Sequence, residues 1–365
     1  RIKAADMIDS YNFEDRKLVE IVKATYFNPK IVVIDETTTA LSQEGREELY
    51  KHMERIRKSG NTVIFISHDL PEIIEKSDTI TILRDGVYID TVKSKDVNEN
   101  DLKKLMVGRE VTGDYYRSDY GEKVSDEVVL SVKNVTVPGL IENVSFDLHK
   151  GEILGFGGLS ESGMHEIGKA IFGASYDREG IVELADGTQI NDIPTAIKHS
   201  IAYTSKDRDN ESVVLNQSIG DNICLPSLDE LSGPAHLISD KKKKDFANKF
   251  AKQMSVKMVD VNQFVSNLSG GNKQKVVLAR WIGKDSDIVV LDSPTRGIDI
   301  KVKQDIYQLM NQMRKNGKSI IMISEELMEL IGMCDRIMIM KDGKISGELE
   351  RDQNLDENGL ITMMV

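Results

Sequence analysis

Short apolar runs recur along the chain, each about five residues long and bounded by polar residues. Ile31-Val32-Val33-Ile34 ends on Asp35, Thr62-Val63-Ile64-Phe65-Ile66 ends on Ser67-His68, and Ile288-Val289-Val290-Leu291 ends on Asp292. Unbroken apolar runs of this length suit strands of a parallel sheet covered on both faces. A strand-rich segment starts at Glu127 and leads to Gly151-Glu152-Ile153-Leu154-Gly155, and a helix is expected from near Met164. Residues 217–266 read as largely helical with loops, and Leu268-Ser269-Gly270-Gly271-Asn272-Lys273-Gln274-Lys275 opens a further helix. The expected fold class is α/β.

The pattern is present twice. Asp292 follows Asp35 by 257 positions. The same gapless register carries Tyr11 onto Leu268, Ser67 onto Ser324, Asp78 onto Asp335, Asp85-Gly86 onto Asp342-Gly343 and Leu105-Met106 onto Thr362-Met363. Chance similarity does not hold one register over that distance, so two copies of one α/β unit are expected. In the second copy a glycine-rich loop begins at Gly158. Its counterpart would fall about a hundred positions ahead of Arg1. The first copy is therefore expected to be incomplete, and the chain to be the C-terminal portion of a longer tandem protein. Residues 111–126 are polar and aperiodic and read as a linker. The expected division is residues 1–110 for the first copy and 127–365 for the second.

Composition narrows the function. A chain of 365 residues is long enough for two or three domains with cores of their own. Its formal net charge of −12 argues against broad nucleic-acid binding, and the one dense basic run, Lys241 to Lys244, reads as a solvated helix face. Cys224 and Cys334 have no metal-ligand spacing and fit a reduced, cytosolic protein. No apolar run approaches the ~20 residues that span a bilayer, and no signal peptide is visible. Any membrane role must come through a partner.

The candidate chemistry concerns phosphate. Ser269 is a suitable N-cap, and Gly270 and Gly271 let a ligand approach bare N–H groups at a positive helix end. The strand ending on Asp292 follows closely, and Ser293-Pro294-Thr295-Arg296-Gly297-Ile298-Asp299 comes after it. Together these resemble the signature motif and Walker B strand of ATP-binding cassette (ABC) ATPases. The resemblance implies tandem nucleotide-binding domains, each with a P-loop core, a β-rich subdomain and a helical subdomain. It also implies head-to-tail pairing, in which ATP lies between the P-loop and Walker B of one domain and the signature of the other.

On that resemblance the two composite sites can be compared. Site one would use Asp35 to hold Mg²⁺ through water, Glu36 as general base, His68 as switch histidine and Ala40-Leu41-Ser42 as D-loop. Ser269, Gly270, Gly271 and Asn272 would face them as an intact signature. Thr37, where the family usually has proline, is a mild departure. Site two would use the loop Gly158-Leu159-Ser160-Glu161-Ser162-Gly163-Met164-His165, which keeps the glycine frame of a P-loop. Gly158, Ser162 and Gly163 would cradle phosphate, and Asp292 would be the degenerate metal residue. Met164 stands in the lysine position, His165 replaces the Mg²⁺-binding hydroxyl, and Glu161 brings a carboxylate towards the phosphate oxygens. Ser293 replaces the catalytic glutamate and Glu325 the switch histidine, while the first copy's signature has become Tyr11-Asn12-Phe13-Glu14-Asp15. Loss of one preorganised charge stabiliser typically costs ~10²–10³-fold in rate, and several are lost here. The losses sort by composite site, which implies one working ATP site. A plainer reading makes Glu161, Met164 and His165 an ordinary surface turn.

The pairing of Leu268-Ser269-Gly270-Gly271-Asn272 with Ser293-Pro294-Thr295-Arg296-Gly297-Ile298-Asp299 resembles the ATPase subunits of ribose-, galactose- and xylose-type sugar importers. Leu105-Met106-Val107-Gly108-Arg109-Glu110 and Tyr203-Thr204-Ser205-Lys206-Asp207-Arg208 add to the match, although that family usually has glutamate where Lys206 stands. No aromatic for adenine stacking is visible in residues 128–140. The resemblance implies ATP and Mg²⁺ as cofactors. It implies two transmembrane permease subunits and an extracytoplasmic sugar-binding protein as partners, with peripheral attachment at the cytoplasmic face of the membrane. A soluble tandem ABC protein of translation or DNA repair and a non-catalytic truncated remnant are the competing readings.

Overall fold

The computed structural model describes every residue except 1, 2, 4, 12, 28, 36, 39, 40, 42, 68, 85, 86, 108–114, 121, 122, 160, 234–236, 299, 353, 354 and 365. The contacts divide it into a unit formed by residues 1–113 and one formed by nearly all of residues 114–365.

In the first unit, helix α1 (Phe13–Thr25) precedes strand β1 (Ile31–Asp35), and α2 (Gln43–Lys58) precedes β2 (Thr62–Ile66). Then come α3 (Leu70–Lys76), the hairpin β3 (Thr79–Arg84) and β4 (Val87–Lys93), and α4 (Glu99–Val107). β1 and β2 pair in parallel and end level, Asp35 opposite Ile66. Val32 and Ile34 of β1 join Ile21, Leu49 and Met53 in a core.

The second unit opens with β5 (Val128–Val137), β6 (Ile141–His149), β7 (Ile153–Gly158), α5 (Met164–Ile171) and β8 (Glu179–Leu184). It continues through α6 (Ile193–Lys198), β9 (Ile201–Thr204), α7 (Ile219–Cys224), α8 (Leu228–Leu231), α9 (Asp240–Gln253) and α10 (Gly270–Lys284). β10 (Ile288–Asp292), α11 (Ile300–Lys315), β11 (Ser319–Ile323), α12 (Leu327–Met333), β12 (Arg336–Lys341), β13 (Lys344–Glu350) and α13 (Glu357–Met364) complete it. The main sheet has the order β13-β12-β7-β11-β10-β9, and β6-β5-β8 form a separate antiparallel sheet. β7, β9, β10, β11 and β12 run parallel, with β13 antiparallel at one edge. β10 and β11 are buried along their whole length, as an unbroken apolar run in a doubly covered sheet requires.

Spacing by 257 positions carries over into the structure. β1, α2, β2, α3, β3 and β4 have counterparts in β10, α11, β11, α12, β12 and β13 at that offset, with the same boundaries. The parallel register is preserved, Ile31 opposite Thr62 and Ile288 opposite Ser319. So is the register shift in the antiparallel pair, between Ile82 and Leu83 and between Ile339 and Met340. One face differs. Ile31 and Val33 are 59% and 58% exposed, whereas Ile288 and Val290 are 4% and 0% exposed. In the second unit α5 packs on β10 and β11. The first unit has no equivalent helix among its described residues.

The stretch expected to be a polar linker is partly docked. The Tyr115 and Tyr116 rings pack against Tyr307. A Cβ on Gly332 would lie 2.3 Å from the Tyr116 ring, so the absent side chain there makes room for it. Arg117 donates to Asp335 at 2.7 Å and to the Met333 carbonyl at 2.8 Å, and its side chain is almost fully buried. Asp119 bridges Arg117 and Arg314. The surplus of charged residues concealed this packing, because a buried ion network looks like solvated chain in a linear reading.

Removing Arg117 leaves Asp335 buried with one guanidinium fewer, so Arg117→Ala should destabilise the second unit by about 3 kcal/mol in chemical denaturation. Burial pushes the Asp119 carboxyl up, but Arg117 and Arg314 outweigh this and hold it below the ordinary value. Its folded pKa is then lower than its unfolded one, so its contribution is present at neutral pH and is lost as pH falls through the folded value. Asp119→Asn should flatten the acid limb of the stability–pH curve.

Candidate functional site

Ligands in parallel α/β sheets collect beyond the carboxyl ends of the strands. β7, β10 and β11 end at one edge, with Asp292 opposite Ile323 and Ile323 opposite Phe156. The loop from β7 to α5 therefore lies beside Asp292 and the turn after β11.

The loop keeps the backbone form of a phosphate cradle. Ser162 N–H donates to the Leu159 carbonyl at 2.8 Å. Gly163 has φ +89°, and a Cβ there would lie 2.4 Å from the Leu140 carbonyl oxygen, so only glycine fits. No side chain caps α5. The side chains, however, point elsewhere. Ser162 is buried and its Oγ lies under Gly158, where a Cβ would come within 2.3 Å of it. Met164 is fully buried in the apolar core, so the lysine position has been given over to packing. Glu161 and Leu159 face solvent. The reading of these residues as an ordinary surface turn is thus incorrect for Met164 and His165.

His165 closes the pocket. Its Nδ1 donates to Asp292 Oδ1 at 2.7 Å, and its Nε2 lies 3.0 Å from Lys206 Nζ and 3.4 Å from Glu325 Oε1. Lys206 also donates to Glu325 Oε1 at 2.7 Å, and Ser293 Oγ to Asp292 Oδ1 at 3.2 Å. Burial alone pushes the His165 imidazolium towards neutrality, but the hydrogen bonds to Asp292 and Glu325 outweigh it and raise its pKa. The Mg²⁺ expected at Asp292 does not fit this arrangement. A ring N–H already occupies the carboxylate, and no hydroxyl stands in the ligand position. Among the described residues no group of three or more His, Cys, Asp or Glu side chains has metal-binding geometry. His165 and Ser293 thus compete for Asp292 Oδ1 with the metal role expected of that residue.

The signature segment is better preserved. Ser269 sits at the N-cap of α10 with extended backbone, yet its side chain makes no capping bond. Its exposed hydroxyl instead accepts from Asn272 Nδ2 at 2.9 Å, while Asn272 Oδ1 accepts from Lys257 N–H at 2.8 Å. Asn272 therefore anchors the helix start, a role its position in the motif did not reveal. A Cβ on Gly270 would come 3.1 Å from the Arg208 guanidinium. Lys273 pairs with Asp209 at 2.9 Å and ties the same segment to α10.

In the first unit Asp35 ends β1 and is exposed. Glu36 and His68, the expected base and switch histidine, lie outside the described residues, as do Ala40 and Ser42. Their neighbours are described, and Thr38 and Ser67 are hydrogen-bonded to Glu72 at 3.0 and 2.8 Å. Tyr11, opposite the signature position in the repeat, bonds Asp6 and the Lys3 N–H through its phenol. Lys206 and Arg208 were missed as site residues. The only signal was that Lys206 departs from the sugar-importer pattern.

The ABC transporter family model matches residues 141–296. The ribose import ATP-binding protein RbsA of Clostridium tetani is 38% identical over 347 residues, covering 95% of this chain and 68% of that protein. The xylose import ATP-binding protein XylG of Thermoanaerobacter pseudethanolicus is 43% identical over 350 residues, covering 93% and 68%. Among solved structures, a nucleotide-free ATP-binding cassette from an ABC transporter superposes with a TM-score of 0.55 at 18% identity, covering 65% of this chain and 99% of that one. A dimeric bacterial ABC transporter cassette superposes with a TM-score of 0.54 at 22% identity, covering 61% and 99%. These two likenesses establish the fold, an ABC ATPase cassette.

Two outcomes test the site. Losing an N-cap hydroxyl usually costs about 1 kcal/mol. Because Ser269 makes no cap bond, Ser269→Ala should cost less than about 0.5 kcal/mol in thermal unfolding while weakening nucleotide-dependent activity of the full-length protein. His165→Ser removes the ring from Asp292 and restores a hydroxyl, so it should add Mn²⁺ binding in the presence of ATP, read by electron paramagnetic resonance. No added binding would mean that His165 is not what keeps the metal out.

Proposed function

This chain belongs to the ABC-transporter family of import ATP-binding proteins, and from that premise we propose that it serves a sugar importer with one competent ATP site and one degenerate site. Its relatives are named for ribose, xylose and galactose import, which supports a monosaccharide as the substrate class. ATP hydrolysis is the family's activity. On our reading two transmembrane permease subunits and an extracytoplasmic sugar-binding protein complete the importer. The ATPase then attaches peripherally at the cytoplasmic face. No helix of the described residues is long and apolar enough to cross a membrane.

We read residues 1–110 as the C-terminal part of a first cassette and 127–365 as a second. The shared offset of 257 positions, the shared registers and the shared bulge support that reading. The competent site takes Asp35, Glu36 and His68 from the first copy and Ser269, Gly270, Gly271 and Asn272 from the second. Ser269 and the N–H groups at the start of α10 would bind the γ-phosphate, since an uncapped helix start offers free donors and positive potential. Glu36 would take the proton of the attacking water, and His68 would hold that water in line. Asp35 would hold Mg²⁺, which supplies charge neutralisation at the phosphates when bound.

The observation that carries the asymmetry is the pairing of His165 with Asp292 and of Lys206 with Glu325. An imidazole and an ammonium stand where a working site needs a metal and a free switch residue. With Ser293 in place of the glutamate, the second pocket has no base. We infer that it does not turn over ATP. The acidic balance of the chain and this lopsided chemistry weigh against a role on ribosomes or DNA.

In the full-length protein reconstituted with its permease, Glu36→Gln should lower ATPase activity by at least ~10²-fold, whereas Ser293→Glu should leave it within about twofold. Equal losses from damage at either site would reject the one-site reading.

A further inference from the structure

Each unit buries, at equivalent positions of the repeat, a glutamate that the reaction does not use. Glu72 accepts from Thr38 Oγ1 at 3.0 Å, from Ser67 Oγ at 2.8 Å and from the Tyr50 hydroxyl. Glu329 accepts from Thr295 Oγ1, from Ser324 Oγ at 2.9 Å and from the Tyr307 hydroxyl. All four residues correspond at the repeat offset of 257. Glu72 is 6% exposed and Glu329 is not exposed at all. A carboxylate withdrawn from water this far requires donors, and three hydroxyls converge on each.

The donors come from places that matter. Thr38 lies two residues after Glu36, and Ser67 immediately precedes His68. Strands β1 and β2 end level, so the two segments leave the sheet side by side. Tyr50 belongs to α2 and Glu72 to α3, so one carboxylate ties both segments to two helices. The Thr38 carbonyl also accepts from Arg46 Nε of α2 at 3.1 Å, which pins the same residue from its backbone. Asp69 N–H donates to Ser67 Oγ at 3.1 Å and its carboxylate caps α3 through Glu72 N–H at 3.1 Å. In the second unit the same scaffold flanks Ser293 and Glu325, neither of which has the catalytic group expected there.

We propose that Glu72 is a positioning residue for ATP hydrolysis, fixing through Thr38 and Ser67 the spacing between the general base Glu36 and the switch residue His68. The inference rests on the one-site reading above. It separates positioning from simple structural support, because Glu329 holds the same scaffold around a pocket that does no chemistry.

The test compares Glu72→Gln with Glu329→Gln in the full-length protein, measuring kcat, KM for ATP and thermal stability. Both variants should lose similar stability. Glu72→Gln should lower kcat by about 10- to 100-fold with KM within about twofold, as misplacement of a reacting group does, while Glu329→Gln leaves kcat within about twofold. Equal loss of kcat in both, or unchanged kcat in both, overturns the positioning role. Should Glu72→Gln fail to fold, Thr38→Val against Thr295→Val removes one donor from each network and is judged by the same criterion. Turnover that survives Glu36→Gln rejects the one-site reading and this inference with it. Turnover lost in Glu36→Gln but kept in Glu72→Gln rejects the positioning role alone.

Discussion

A carboxylate taken out of water must find donors or countercharge, and this constraint organises the molecule. Transfer of an unpaired ionised group into an apolar interior is too costly for a fold of ordinary stability to carry. Each buried acid is accordingly surrounded. Asp335 takes Arg117, Arg314 and the Ile153 N–H. Glu329 takes three hydroxyls and has Lys303 at 3.5 Å. Asp292 takes His165 and Ser293. Burial still dominates at Glu329 and pushes its carboxyl above the ordinary value. The partners chosen decide what each acid can do. Hydroxyls give a rigid brace, guanidiniums fasten residues 115–120 to the second unit, and an imidazole occupies a carboxylate that would otherwise be open to a metal.

On the one-site reading proposed above, this lets the two repeated segments hold different chemistry on one scaffold. The scaffold is set by strand pairing and by the Glu72 and Glu329 networks, and neither depends on which residues lie at the strand ends. Glu36 can become Ser293, and His68 can become Glu325, without disturbing the register or the braces. The pocket residues are then free to compensate one another. The Glu325 carboxylate has a cation beside it, Lys206 at 2.7 Å. Asp292 has a fixed partner in His165. His165, Ser293 and Glu325, read in the sequence as separate losses, form one hydrogen-bonded cluster with Asp292 and Lys206.

The fold was largely legible because its signals are periodic and local. Apolar runs that ended on Asp35 and Asp292 became strands at those residues, and the helix expected near Met164 begins there. The repeat made each element a check on its counterpart. What was not legible depends on contacts between residues far apart in sequence. His165 meets Lys206 and Glu325 only because β7, β9 and β11 belong to one sheet. Residues 115–120 looked like linker because Arg117 and Asp119 are charged, and their partners lie about two hundred positions away. Asn272 looked like a nucleotide contact, yet its amide bridges Ser269 and the Lys257 N–H.

That bridge also bears on how a signature segment can serve a ligand. A serine that capped its own helix would accept from a first-turn backbone N–H and so take that donor away from a phosphate. Here Asn272 takes over the local anchoring. Ser269 Oγ accepts one hydrogen bond, and its own proton stays available to donate. The first-turn N–H groups of α10 remain without a side-chain cap at the positive end of a 15-residue helix. The cost of leaving helix donors uncapped falls on stability, and the benefit falls on anion binding. The same trade recurs at α5, where Gly163 leaves the helix start uncapped, but there Met164 has turned into the core and His165 has turned onto Asp292. The two helix starts therefore differ in what surrounds them: an exposed Ser269 hydroxyl at α10, and the buried Met164 with the His165–Asp292 pair at α5.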